Sequence, residues 1–252
     1  MKDSKQNFFS ADWPAPGHIK TCITTRQNGY SIKPFNSFNL ATHVDDDPEH
    51  VKANRRKLLE VLPSTPHWLD QQHTNTCIQI NPQTDRTPLA DAAYTSEGNI
   101  VCCVLTADCL PLLITNEQGT LVSSIHAGWR GLANGIIETS INKIKISSQE
   151  DERNFLVWLG PAISQQNFEV GIEVKDIFIQ KYPGCEAAFI ASKKTTKYYF
   201  NIYQMAKFIL NELGINKIYG GNFCTYEEKE RFFSYRRDGQ TGRIASMIWI
   251  EK

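Results

Sequence analysis

The 252-residue sequence contains little that is typical of membrane or secreted proteins. No apolar run is long enough to cross a bilayer, and the opening MKDSKQNFFSADWPAPG has no apolar core of the kind found in secretory signals. Internal repeats, low-complexity tracts and linkers rich in Pro, Gly or Ser are also missing. We therefore expect one domain over residues 1–252, a cytoplasmic location and no membrane partner.

Neither sign of charge is in excess, because 27 Lys and Arg residues balance 27 Asp and Glu residues. A neutral chain has no long-range field that would attract nucleic acid or an acidic membrane. Nucleic acid is therefore not expected as a partner, whereas a small anionic ligand needs only a local cluster of positive groups. Nothing in the composition indicates the oligomeric state.

The seven cysteines do not form the pattern of a disulfide scaffold, because their number is odd and their spacing is irregular. No pair has the CxxC spacing of a structural zinc site. In a reducing compartment most of them are expected to be small buried residues. One of them is a candidate for a reactive or metal-binding role.

What the sequence does contain is a series of short apolar runs of β type, interspersed with helical segments without strict alternation. This order predicts an α+β fold in which two packed sheets have helices outside them. A helix is expected over residues 48–62, because Asp47 is a suitable N-cap and Pro48 suits the first helical position.

Two further predictions concern the segments next to the candidate site. The spacing of apolar residues from Trp129 to Ile144 predicts one continuous amphipathic helix. Near the end of the chain, strands in RFFSYRR and RIASMIWI are expected to form a hairpin around the turn DGQTG.

The stretch TADCLPLLITNEQGTLVSSIHAGWRG has the strongest functional pattern. Cys109 precedes one apolar run and His126 ends the next, so an antiparallel pair of strands would bring the Cys109 thiol close to the imidazole. His73, at the end of the predicted strand HWLDQQH, is a third candidate ligand. One thiol and two imidazoles suit Zn²⁺, and three protein ligands leave a position open, as in catalytic zinc sites.

Each of these residues also has a simpler interpretation. A cysteine in an apolar strand is usually a core residue, and a single histidine is usually hydrogen-bonded or at the surface. The spacings of 36 and 17 residues between the three match no short zinc signature. From the residues alone, a metal site and an ordinary core both stay open.

Glycine and arginine after His126 indicate an anion site. Gly128 and Gly131 permit a tight turn, and a helix that starts at Trp129 has free N–H groups at its N-terminus. Together with Arg130, this helix end would hold one phosphate; a solvated Arg130 is an equal alternative.

Several other residues are weaker candidates. Asp108 would be either a proton-handling group or a hydrogen-bond acceptor behind the metal. Arg55 on the first helix and Asn39 and His43 in the loop FNSFNLATH are candidates for a substrate pocket. The segment SYRRDGQTGR is explained equally well as a polar turn, which leaves open the roles of Arg236, Arg237 and Arg243.

The sequence as a whole resembles the laccase-domain or polyphenol oxidase family, also described as zinc-dependent purine nucleoside phosphorylases and peptidoglycan editing factors. The resemblance runs along nearly the whole chain, through SFNLATHVDDDPEHVKANR, WLDQQH, DAAYT, TADCLPLLI, IHAGWRGLANGII, GPAISQQNFEVG and CTYEEKERFFSYRRDGQTGR. Two departures are visible. NLATH lacks the glycine that usually precedes its histidine, and Thr74 replaces the glycine after the family's ligand histidine, where it would narrow the pocket.

The resemblance implies a four-layer α/β/β/α fold and a Zn²⁺ cofactor held by His73, Cys109 and His126. It also implies phosphorolysis of adenosine, inosine, guanosine or methylthioadenosine to the base and ribose 1-phosphate. A further implied activity is the deamination of adenosine by metal-activated water. The expected partners are therefore a purine nucleoside and phosphate.

Three other functions stay open at this point. One is a hydrolase that edits peptidoglycan precursors, which the resemblance also suggests. Another is a metal-free hydrolase with Cys109 as nucleophile and His126 as base. A copper polyphenol oxidase is the least favoured, because its copper cluster needs more imidazoles than the six histidines of this chain supply.

Overall fold

The structure, a computed structural model, describes residues 7–84 and 87–252. The opening segment, which we expect to lack a secretory signal, lies partly outside the described residues. The α-helices are α1 (Pro48–Leu58), α2 (Trp129–Asn134), α3 (Ile136–Ser148), α4 (Ile172–Lys181), α5 (Ile202–Glu212) and α6 (Tyr235–Asp238). Short 3-10 turns lie at Leu59–Val61, Glu152–Asn154, Gln165–Asn167 and Glu186–Ala188.

The strands are short, between two and seven residues each, and are numbered in chain order. They are β1 (Phe8–Phe9), β2 (Ile19–Thr24), β3 (Cys77–Gln79), β4 (Ala92–Thr95), β5 (Cys102–Thr106), β6 (Leu110–Asn116), β7 (Val122–Ala127), β8 (Phe155–Leu159), β9 (Glu169–Gly171), β10 (Phe189–Ala191), β11 (Lys197–Phe200), β12 (Lys217–Gly220) and β13 (Ile244–Ile250).

These strands form two large sheets and one small one. The larger has the order β12-β8-β6-β7-β4-β3, and the other has the order β1-β2-β13-β5. The small sheet has the order β10-β11-β9. At the centre of the six-stranded sheet, β6 and β7 pair antiparallel, and β13 pairs antiparallel with both β2 and β5.

The two large sheets pack face to face, because their strands carry apolar side chains on the surfaces that meet. Val104 of β5, Leu113 of β6 and Ile248 of β13 belong to the apolar core between the sheets. A second core joins the other face of the six-stranded sheet to α3 and α5, and a third joins the outer face of the four-stranded sheet to α1 and the loop before it. The layers therefore run α/β/β/α, which confirms the predicted α+β sandwich.

The first predicted helix forms for the reasons that its sequence indicates. The Asp47 carboxylate accepts a hydrogen bond from the backbone N–H of Glu49 at 2.8 Å, and Pro48 occupies the first turn. Val51 and Leu58 are buried, and Leu58 packs in the core on the outer face of the four-stranded sheet. None of the described helices is long and apolar enough to span a lipid bilayer.

The predicted continuous helix from Trp129 to Ile144 is wrong in one respect. It is divided into α2 and α3 by Gly135, whose φ of 88° lies in the left-handed region. Glycine adopts this conformation without the clash that a Cβ would cause, so it ends one helix and starts the next at a new angle. The apolar spacing is the same on both sides and hides the break.

The predicted hairpin around DGQTG is also wrong. Residues Tyr235–Asp238 form α6, and β13 pairs with β2 and β5 instead of with the preceding segment. The Arg237 guanidinium donates to the backbone carbonyls of Thr225, Tyr226 and Phe232, which holds this segment in a compact turn. The hairpin is predicted from the alternation of apolar residues, and this pattern gives no information about hydrogen bonds from side chains to the backbone.

Candidate metal centre

The antiparallel pair β6–β7 brings Cys109 and His126 to the same end of the six-stranded sheet. Cys109 directly precedes β6, and in the register of the pair Pro111 lies opposite His126. The predicted return of the chain after one turn is therefore confirmed. His126 is only 4% exposed, whereas Cys109 is partly accessible to solvent.

His73 reaches the same place from a loop and not from a strand. The predicted strand HWLDQQH is wrong: this segment joins its neighbours through isolated bridges at His67 and Asp70. The side-chain amide of Gln71 holds the segment against β5, because it accepts from the N–H of Leu105 at 2.8 Å and donates to its carbonyl at 2.9 Å. His73 has a φ of 58°, an unfavourable value for a residue with a Cβ.

The three side chains converge into one cluster. His73, Cys109 and His126 each offer one ligand atom, and these atoms lie within 4.8 Å of one another. The Cys109 Sγ is 3.6 Å from His73 Nε2, and the two imidazole rings have centroids 4.8 Å apart at an angle of 68°. Atoms at these separations can share a single metal ion without movement of the backbone.

Asp91 holds the cluster from behind and was not among the residues predicted from sequence. Its carboxylate accepts hydrogen bonds from the consecutive backbone N–H groups of Gln72, His73 and Thr74 at 3.2, 3.0 and 2.7 Å. Successive amides that surround an anion form a nest, which accounts for the positive φ of His73. The hydroxyl of Thr74 also donates to Asp91 at 2.8 Å, so this departure from the family pattern faces the carboxylate.

The same carboxylate fixes the tautomer of His126. The His126 Nδ1 lies 2.8 Å from Asp91 Oδ1, within hydrogen-bond distance. The Asp91 carboxylate also accepts from Gln72, His73 and Thr74 and is ionised, so Nδ1 must be the donor of this bond. When the ring is neutral its proton is therefore on Nδ1, and Nε2 is the atom that can bind a metal. The segment DAAYT signals this residue by its place in the family pattern, but nothing in its local sequence connects it to His73 and His126.

The electrostatics of the cluster favour a thiolate at Cys109. Burial raises the pKa of this thiol, but the charge of His126 and hydrogen bonds from His126 and His73 outweigh it and bring the pKa down to about 6. Burial lowers the pKa of His126, yet Cys109 and Asp91 together raise it above its ordinary value. A thiolate is the form of cysteine that binds metal.

Gly128 leaves the space that the cluster needs. A Cβ at this position would lie 2.6 Å from His73 Cδ2, closer than such atoms approach in proteins, and a tight 3.0 Å from Cys109 Sγ. A side chain at position 128 would therefore displace His73 or Cys109. Together with the donor set and the carboxylate behind His126, this cradle fits a small divalent ion.

Gly128→Ala is expected to push His73 and Cys109 apart and to lower the affinity for the metal by at least about 10- to 100-fold, the usual cost of disturbing a ligand's support. Competition with a chromophoric chelator measures this affinity. The matched control is Gly131→Ala, because a Cβ there meets the Thr74 carbonyl oxygen at an ordinary 3.4 Å. Equal metal affinity in the two variants would contradict this role of Gly128.

Asp108 lies beside the cluster, and its carboxylate is used by the protein. Its Oδ1 accepts from the Thr225 hydroxyl at 2.6 Å, and its Oδ2 accepts from the backbone N–H of Arg236 at 2.7 Å. Asp108 has a φ of 91°, and its carbonyl accepts from the N–H of Ile163. These contacts fix the loop that presents Cys109 and favour the interpretation of Asp108 as a hydrogen-bond acceptor.

The residues predicted to bind substrate are placed differently from one another. Arg130 is exposed, and its guanidinium lies over the ring of Trp129. Arg55 stacks on Trp68 at 4.0 Å and donates to the Leu40 carbonyl. His43 is exposed and lies within electrostatic range of Arg243, Arg55 and His126.

Asn39 is fully buried, so it does not contact a substrate directly. Its Oδ1 accepts from the backbone N–H groups of Ala41 and Arg243, and its Nδ2 donates to Asp46. Asn39 therefore joins the loop that carries His43 to the start of β13. Arg243, whose role stays open in the sequence, is placed by this contact.

The comparison with protein families decides the relationship. The family model described as multi-copper polyphenol oxidoreductase laccase matches residues 20–251. The chain belongs to this family. Among the relatives of this laccase family, the purine nucleoside phosphorylase of Haemophilus influenzae is 45% identical over 246 residues, which cover 96% of this chain and 99% of the relative. A purine nucleoside phosphorylase of Pseudomonas aeruginosa is 43% identical over 244 residues, 97% of this chain and 98% of the relative.

Solved structures of the family agree with the fold. A crystal structure of a Neisseria meningitidis protein has a TM-score of 0.92 and 42% identity, and the match covers 98% of this chain and 100% of that one. A structure of the protein YlmD from Geobacillus stearothermophilus has a TM-score of 0.91 and 28% identity, with 98% and 97% covered. The four-layer sandwich is therefore the shared fold of the laccase family.

Proposed function

We propose that this protein is a zinc-dependent purine nucleoside phosphorylase. The proposed substrates are phosphate and adenosine, inosine, guanosine or methylthioadenosine, and the products are the free base and the 1-phosphate of the sugar. The single observation that supports this most is the convergence of His73, Cys109 and His126 on one small volume. Relatives that are 43–45% identical over nearly the whole chain are named purine nucleoside phosphorylases.

Zinc is the metal that we propose for this cluster. A thiolate and two imidazoles suit its borderline softness, and three protein ligands leave a coordination position for a substrate or water. Copper also binds such a set, so the choice rests on the reaction: phosphorolysis moves no electrons between metal and substrate. When bound, zinc supplies a Lewis acid and lowers the pKa of water.

The protein's own part in the reaction is to position two substrates and to stabilise charge. In phosphorolysis an oxygen of phosphate forms a bond to C1′ while the bond from C1′ to the purine nitrogen breaks. The electron pair of that bond leaves with the purine, which takes up a proton. Positioning of this kind accounts for much of the rate of group-transfer enzymes. Cationic groups such as Arg55, His43 and Arg130 are candidates for the phosphate.

The same site would also support deamination of adenosine, in which water replaces the amino group at C6. This activity needs no phosphate, so the two reactions can be separated by its omission. A reducing compartment such as the cytoplasm would keep Cys109 available as a ligand.

A metal-free hydrolase is the second candidate, and one observation favours it. The charge of His126 and hydrogen bonds from His126 and His73 overcome the effect of burial and lower the pKa of the Cys109 thiol to about 6, as in an activated cysteine nucleophile. Asp91 behind His126 would complete a chain of the kind found in such enzymes. In this alternative the thiol would react with the substrate directly.

The decisive experiment is elemental analysis of protein purified without added metal, followed by product analysis on the four nucleosides. We expect one equivalent of zinc, release of base that requires phosphate, and formation of inosine from adenosine without phosphate. Release of no base by zinc-replete protein would refute phosphorolysis. Copper in place of zinc, or full activity without metal, would refute the assignment of the metal.

A further inference from the structure

Arg243 has a guanidinium that is only partly used by the protein. Its Nη1 donates to the backbone carbonyls of Thr241 and Gly242 at 2.7 and 3.1 Å, and its backbone N–H donates to Asn39 Oδ1 at 2.9 Å. These bonds fix the side chain within its own turn. Among residues 7–84 and 87–252, its Nε and Nη2 have no hydrogen-bond acceptor, and no carboxylate lies within ion-pair distance.

This state is unusual for an arginine that is partly buried. Elsewhere in the same region Arg237 pairs with Asp238, and Arg231 pairs with Glu228, both at less than 3 Å. The N–H groups at Nε and Nη2 lose hydration when they are removed from water, and no acceptor compensates for this loss. Two free N–H groups in a planar fork match two oxygens of an oxyanion.

Arg243 is linked to the loop of the metal ligand Cys109 through α6. Burial lowers the pKa of Arg243, and the negative charges of Cys109 and Asp108 act against this effect. Its carbon atom Cζ is 6.0 Å from the ring of Tyr235, and the residue after Tyr235 donates its N–H to Asp108, the neighbour of Cys109. The turn before β13 and the Cys109 loop therefore both meet α6.

Other positive groups lie within electrostatic range of Arg243. Partial burial and the charge of Arg243 lower the pKa of His43, the charge of Asp70 acts against them, and Arg55 and His126 lower the pKa further. Arg55 is already committed to Trp68 and to the Leu40 carbonyl. Of these cations, Arg243 is the one with a free, pre-oriented pair of donors.

We infer that Arg243 is the residue that binds phosphate, with His43 beside it, and that it presents a phosphate oxygen to the nucleoside at the metal cluster. This inference rests on the proposed phosphorolysis and names the phosphate-binding group of that site. The guanidinium of Arg130, at the start of α2, lies over the ring of the neighbouring Trp129 and is assigned no part in phosphate binding. The planar fork would hold two oxygens of phosphate and leave a third to bond with C1′.

The test compares Arg243→Ala and Arg243→Lys with the wild type. Arg153→Ala is the matched control, because the Arg153 guanidinium is exposed and paired with Asp151. Calorimetric titration of inorganic phosphate in the absence of nucleoside measures binding alone, and steady-state kinetics separate the KM for phosphate from the KM for nucleoside. We expect Arg243→Ala to raise the Kd and the KM for phosphate by about 10- to 100-fold, with the nucleoside KM and the metal content little changed.

Arg243→Lys should recover part of the loss, because it keeps the charge but not the fork, and it carries the test if Arg243→Ala fails to fold. An unchanged phosphate affinity in a folded Arg243 variant would overturn the inference and leave the proposed function intact. Phosphate binding that depends on Arg243 without any phosphorolysis would instead refute the proposed function alone. Acetate that displaces phosphate equally well would indicate a general anion site and would also overturn the assignment.

Discussion

Cys109→Ala is expected to abolish stoichiometric zinc and to lower phosphorolysis by about 10³-fold or more. The reason is that the two remaining imidazoles would hold a divalent ion too weakly to keep it through purification. Loss of a catalytic metal costs several kcal/mol of transition-state stabilisation, and each 1.4 kcal/mol is about tenfold in rate. Metal analysis and turnover of inosine with phosphate, measured on the same preparation, check both effects.

Cys22→Ala is the matched control for this substitution. Cys22 is a buried thiol on the outer face of the four-stranded sheet, and burial raises its pKa to about 12. Its removal should change neither metal content nor activity. Full activity in both Cys109→Ala and Cys22→Ala would contradict the metal mechanism and the thiol nucleophile alike.

A thiol-reactive probe separates the two mechanisms that need Cys109. Metal-free protein should be labelled at Cys109 near neutral pH, because the pKa of that thiol is lowered to about 6. Zinc should protect the sulfur from the probe if the sulfur is a ligand. Rapid labelling of metal-replete protein, with loss of activity in proportion, would favour the metal-free hydrolase.

The parts of this site that the sequence predicts are those set by local pairing. Cys109 and His126 flank two strands joined by a short turn, so the antiparallel register alone brings them together. The position of His73 cannot be predicted from the alternation of apolar residues, because its loop is held by hydrogen bonds to Leu105 and Asp91, which lie in distant segments. The wrong strand in HWLDQQH has this cause.

Residues that act through tertiary contacts escape prediction in the same way. Asp91 directly precedes β4, and its role depends on three backbone amides 17 to 19 residues before it in the chain. Arg243 lies at the start of β13, so its position beside Tyr235 of α6 depends on the pairing of β13 between β2 and β5. Gly135 is missed for a different reason. It breaks the helix locally, but a glycine within a helical apolar pattern can adopt either a helical or a left-handed φ, and the sequence does not show which.

Asp91→Asn is expected to lower the affinity for zinc by about 10- to 100-fold and to reduce activity by at least as much. The two oxygens of this carboxylate together accept five hydrogen bonds. The side-chain amide of asparagine keeps only one of these oxygens, and an NH2 group, which donates, replaces the other. If the amide nitrogen takes the place of Oδ1, it donates to His126 Nδ1 and moves the ring proton to Nε2, where it blocks the metal. If it takes the place of Oδ2, it opposes the donors of Gln72 and Thr74.

Thr74→Val distinguishes this positioning role of Asp91 from a general loss of stability. It removes one donor to Asp91 but leaves the bond to His126, so the protein should melt at a lower temperature and keep its zinc affinity. Asp91→Asn should lower both the melting temperature and the zinc affinity, measured by calorimetry and chelator competition. If the zinc affinity falls equally in both variants, the nest around Asp91 supports the fold and does not set the tautomer of His126. If it falls only in Asp91→Asn, the bond to Nδ1 is what keeps Nε2 free for the metal.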